Sequence, residues 1–156
     1  PIEHRSSTDR DTGESRVTEA ANTPGGASTA PRDVVVITLP ADGAYLSVLR
    51  TATAGLAARL DFTLDEIEDL RIAVDEACAM LLTQAVSGGD LECTFALESD
   101  TMRVAVSVIT SDSQQPSRDT FAWTVLSALA GEVESSAEAD GRVTITLNKR
   151  RSGTAR

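Results

Sequence analysis

A chain of 156 residues is long enough for one hydrophobic core, and with 41% apolar but only 3% aromatic residues that core has to be built from Ala, Val, Leu and Ile. The formal charge is −10, and residues 34 to 147 carry 18 acidic against six basic side chains. Such a surface repels nucleic acid and anionic lipid, so neither is expected as a partner. No apolar run approaches the ~20 residues of a membrane span, and the N-terminus lacks the basic-then-apolar order of a signal peptide, so a cytoplasmic protein is expected.

In chain order, residues 1–33 are rich in Ser, Thr, Arg, Asp and Glu, broken by Pro24-Gly25-Gly26 and Pro31. They offer no apolar face to bury and are expected to form a disordered tail. The folded domain is placed at residues 34–148. Val34–Leu39 is a short β-branched strand ended by Pro40 and Gly43. From about Ala44 to Leu60, the apolar residues Leu46, Leu49, Ala52, Leu56 and Leu60 recur at helical spacing. A second helix starts at Thr63-Leu64-Asp65-Glu66, which has the pattern of a capping box. Its apolar stripe is Ile67, Leu70, Val74, Ala77, Leu81 and Ala85, with Asp65, Glu66, Glu68, Asp69 and Asp75 assigned to the other faces.

Beyond Ser87-Gly88-Gly89-Asp90, alternating residues predict strands over Leu91–Leu97 and Met102–Ile109. The short link between them makes an antiparallel hairpin. A polar loop over Thr110–Asp119 leads to a third helix, about Thr120 to Val133, and a last strand over Arg142–Asn148, followed by a basic tail over 149–156. The order β-α-α-β-β-α-β predicts an α/β two-layer sandwich, a mixed, largely antiparallel sheet with helices on one face.

Chemistry is limited by what is missing. Cys78 and Cys93 form no C-x-x-C and have no histidine near, so buried free thiols are expected rather than a metal site. The one histidine, His4, lies in the tail, so the domain has no Ser-His-Asp or Cys-His pair and the common nucleophilic hydrolases are excluded.

The run Ala73-Val74-Asp75-Glu76-Ala77-Cys78 on an amphipathic helix follows an arginine-bearing helix and the capping box. From Leu46 to Leu82 this resembles the anti-sigma-factor serine kinases, which have the histidine-kinase-like ATPase fold, and the element order matches that fold through residue 148. The resemblance implies that Glu76 occupies the position of the general base toward a serine hydroxyl. The family's Mg²⁺-binding asparagine, four residues on and so on the same helical face, is Met80 here. A thioether is a soft ligand and does not replace an amide oxygen on a hard, octahedral ion. Where the family has Asp-x-Gly-x-Gly, this chain reads Thr110-Ser111-Asp112-Ser113-Gln114. Where a glycine-rich turn opens the next helix, it reads Asp119-Thr120-Phe121-Ala122-Trp123. Arg50, 26 residues before Glu76, matches an arginine that contacts both the sigma factor and the anti-anti-sigma factor in these kinases.

The resemblance implies an anti-sigma factor that sequesters an RNA polymerase sigma factor as a homodimer and is released by an anti-anti-sigma partner. ATP and Mg²⁺ are not expected as cofactors. The alternative is an active ATP-dependent serine kinase of the anti-anti-sigma factor with Glu76 as base.

Overall fold

The computed structural model describes residues 33–153. The expected tail over 1–33 therefore lies outside the described residues except for Asp33, which already opens the first strand. The elements are β1 (Asp33–Pro40), a 3-10 turn (Gly43–Tyr45), α1 (Leu46–Arg59), α2 (Leu64–Leu82), β2 (Asp90–Leu97), β3 (Thr101–Ile109), α3 (Phe121–Ala130), β4 (Glu132–Ala137) and β5 (Arg142–Arg150).

The five strands form one sheet in the order β1-β2-β3-β5-β4, and every neighbouring pair is antiparallel. The α/β two-layer architecture expected from the sequence is present, but its mixed sheet is corrected. The cause is β4, which the sequence reading did not place. Residues 131–133 had been assigned to the end of the third helix; instead α3 stops at Ala130, and Gly131 turns the chain with φ +81 into β4. A lone helix between β3 and the last strand would return the chain parallel to β3. The extra strand reverses it once more, so β5 runs antiparallel to both neighbours. The final strand also continues past Asn148, so Lys149 and Arg150 belong to the sheet rather than to a tail.

Register explains the core. Val35, Phe95, Val104, Leu147 and Val133 lie in one row across the sheet, and Leu39, Leu91, Val108, Val143 and Ala137 in another. Phe95 on β2, Val104 on β3 and Val143, Ile145 and Leu147 on β5 are fully buried, in keeping with the alternation of each strand. Against this face lies α2, between α1 and α3, with Leu70, Ala73, Val74, Ala77, Cys78 and Leu81 buried. Removing that much aliphatic surface from water drives the assembly, at about 25 cal/mol per Å².

The helix ends are chemically defined. The capping box at Thr63 is formed: its hydroxyl accepts from the Glu66 N–H at 3.2 Å, and Glu66 Oε1 accepts from the Thr63 N–H at 3.2 Å. At the other side of this junction, the Phe62 and Asp61 N–H groups donate to the carbonyls of Ala57 and Ala58. That is a Schellman closure of α1, with Asp61 in the left-handed region at φ +59 where glycine is usual.

Candidate functional site

The candidate site lies on α1 and α2. Leu49, Thr53 and Ala57 are the buried edge of α1, and Arg50, one step round the helix, emerges beside α2. Its Nε donates to Asp75, 2.9 Å from Oδ1 and 2.8 Å from Oδ2, with the arginine side chain 43% exposed. Both oxygens of Asp75 crowd the Nε, so this pair leaves the two terminal amino groups of the guanidinium available. Arg50 thus reaches solvent as expected, but as a held group, and Asp75 is a site residue that the sequence reading had treated only as a charge on a polar face.

Glu76 follows Asp75 and is therefore turned about 100° around the helix, away from Arg50. It is half-buried and takes no part in the ion pairs among the described residues. Met80, one turn later, is half-buried with its side chain packed against the core. The helix therefore brings Glu76 and Met80 onto one flank, as the spacing requires, and sets Arg50 with Asp75 on the other.

The residues around Glu76 do not suit a Mg²⁺–nucleotide site. Met80 contributes a thioether, a soft ligand where a hard, octahedral ion takes oxygen. Gln84 carries a buried amide oxygen without a hydrogen-bond partner, in the turn past the end of α2. The loop after β3 is closed on itself. Asp112 Oδ1 accepts from the Gln114 N–H at 3.2 Å, and Thr110 Oγ1 accepts from the Ser113 N–H at 2.9 Å. Ahead of α3, Thr120 Oγ1 accepts from the Trp123 N–H at 3.2 Å, and the Arg118 guanidinium lies 5.2 Å from the Trp123 ring centroid. A side-chain cap and an aromatic thus occupy the helix start where a glycine turn would expose backbone N–H groups.

Both cysteines are free and buried. Burial, with the Asp75 carboxylate adding to it, pushes the Cys78 thiol up to about 12. Burial raises Cys93 still further, with a smaller contribution from Cys78. Neither is a reactive thiolate.

The most consequential residue missed in the sequence is Glu66. Assigned there to a polar face, it is 8% exposed. Besides the cap, its Oε2 accepts from the Ser152 N–H at 2.9 Å and its Oε1 from the Ser152 hydroxyl at 3.0 Å. Burial acts to raise its pKa, but the hydrogen bonds from Ser152 and Thr63 together outweigh burial and hold it below the usual carboxylate value. The capping-box pattern was legible; the partner 86 residues away was not.

No known family profile matches the chain. It is 34% identical over 90 residues to a protein of Halalkalibacterium halodurans named serine-protein kinase RsbW, covering 57% of this chain and 54% of that one. The like-named protein of Bacillus subtilis is 35% identical over 77 residues, 47% of this chain and 48% of its own. The chain thus spans about half the length of the curated relatives it matches. A crystal structure of the RsbU and RsbW domains of a Mycobacterium tuberculosis protein superposes with a TM-score of 0.62 at 24% identity, covering 81% of this chain and 35% of that one. The resemblance read from α1 and α2 is borne out: this chain is similar to serine-protein kinases named RsbW in sequence, and to a structure containing an RsbW domain in fold.

Proposed function

We propose that this protein is an anti-sigma factor that binds and sequesters an RNA polymerase sigma factor through the surface around Arg50, and that ATP chemistry is lost or vestigial. Release would come from an anti-anti-sigma protein competing for the same α1 surface, and the working form would be a homodimer. The observation that carries this reading is the contrast between the two flanks of α2. On one, Arg50 is held by Asp75 through Nε while its side chain stays partly exposed, the type of group that anchors interfaces. On the other, Glu76 stands without a hard ligand one turn away, because Met80 is packed into the core edge.

Two measurements on purified protein test it. Capture of the sigma factors from the native cell, with RNA polymerase core as competitor, is expected to recover a sigma factor. Isothermal titration with Mg·ATP is expected to give no submillimolar binding. Tight Mg·ATP binding with phosphoryl transfer to an anti-anti-sigma serine would replace this reading by the active kinase. Capture of no sigma factor would remove the transcriptional role.

A further inference from the structure

Arg151 and Ser152, which follow β5, bind the β2–β3 turn at one point and the junction between α1 and α2 at two. The Arg151 N–H donates to the Asp100 carbonyl at 2.7 Å, in the β2–β3 turn. The Arg151 guanidinium donates through Nη1 to the Leu60 carbonyl at 3.2 Å. Ser152 then gives both its N–H and its hydroxyl to the Glu66 carboxylate.

Each contact answers a local need. Leu60 is the C-cap of α1, where unpaired carbonyls and the negative end of the helix dipole favour a cation. Glu66 is in the first turn of α2, where a carboxylate is favoured, but being nearly buried it needs donors beyond its own cap. Between them Asp61 holds a left-handed conformation that costs a non-glycine residue free energy, so the junction is a place where local geometry alone is weakly favoured.

We infer that Arg151 and Ser152 form a strap that latches the α1–α2 junction to the β2–β3 end of the sheet, with Glu66 as its receptor, so that lifting the strap loosens the junction while the sheet stays folded. The latch stands on these contacts and does not depend on what α1 binds. If α1 is the docking helix, it gives the chain a control point at the opposite end of that helix from Arg50. Anything that occupies or displaces residues 151 and 152 would act on the docking surface through it.

Amide hydrogen exchange on the full chain tests the latch. Ser152→Pro removes both donors to Glu66, Ser152→Ala only the hydroxyl, and neither touches the Glu66–Thr63 cap. With Ser152→Pro, the amides of Leu60, Asp61 and Phe62 are expected to exchange about tenfold faster or more, since hydrogen bonds to a charged group are among the stronger ones. Ser152→Ala should give a smaller rise. Amides of Cys93 and Val106, in the centre of the sheet, should be unchanged, as should the junction in Arg150→Ala, whose side chain is 78% exposed and pairs with Asp100 only at 3.7 Å. An unchanged junction in Ser152→Pro would overturn the latch. So would an equal acceleration in the sheet, which would make the strap a contributor to global stability only.

Discussion

Arg50 and Asp75 illustrate how a surface ion pair can matter for position more than for stability. Both side chains are more than a third exposed, so solvent screens the pair and its contribution to folding is about 0–1 kcal/mol. Truncating an interface anchor costs about 2 kcal/mol or more of binding. Arg50→Ala is therefore expected to shift the melting temperature by only a few degrees while weakening sigma-factor binding at least about 30-fold. Melting and affinity measured on one preparation separate the two, and equal affinities for the variant and the parent would return Arg50 to the ordinary surface. The cysteines provide the opposite case, groups whose chemistry burial suppresses. With Cys78 pushed up to about 12, native protein at neutral pH should resist alkylation by iodoacetamide, and both thiols should react once urea unfolds the chain. Rapid labelling of either thiol in the folded state, read by intact mass, would contradict their placement in the core.

At the scale of elements, most of the fold was legible because the signals were local. Alternation in β2 and β3, the helical stripe of α2 and the capping box each need only a few neighbouring residues to be read. What was missed has a physical reason. β4 presents Val133, Ser135 and Ala137 toward the helices and Glu132, Glu134 and Ser136 away from them, so its alternation is between small and polar rather than apolar and polar. An edge strand can be built this way because only one face and one neighbour hold it. Glu66 was missed because its second hydrogen-bond partner is Ser152, a contact that no sequence window contains. Its protonation makes that contact measurable. A carboxylate held below the ordinary value of 4.5 contributes stability above that pH and loses it as the pH falls through the folded-state value. Glu66→Gln is expected to lower stability at pH 7 by roughly 1–3 kcal/mol, the range for hydrogen bonds to a charged group, and the gap from the parent should narrow toward pH 3. Urea midpoints at the two pH values check this, and a gap that stays constant would show that the charge on Glu66 is not what the cap and strap require.

For the whole molecule, the question is whether a single change at one residue governs the affinity of this chain for Mg·ATP. The chain superposes on a structure containing an RsbW domain over 81% of its length, which is a likeness of fold. Nucleotide binding of the kind the resemblance implies would draw on three segments far apart in sequence: α2, the loop after β3 and the start of α3. Met80→Asn would restore a hard amide oxygen one turn from Glu76, the spacing at which two side chains can converge on one ion. It would not reopen the loop, where Asp112 and Thr110 accept from the backbone N–H groups of Gln114 and Ser113. Nor would it bare the start of α3, where the Thr120 hydroxyl accepts from the N–H of Trp123, a donor that a bound phosphate could otherwise engage. If nucleotide binding needs all three segments, the single variant should bind Mg·ATP more weakly than about millimolar, an affinity worth only about 4 kcal/mol, while folding as the parent does. Titration calorimetry of Met80→Asn with Mg·ATP decides it, with circular dichroism as the check on folding. Submillimolar binding by that one variant would show that the glycine-free loops tolerate nucleotide and that the residue at position 80 alone sets the affinity.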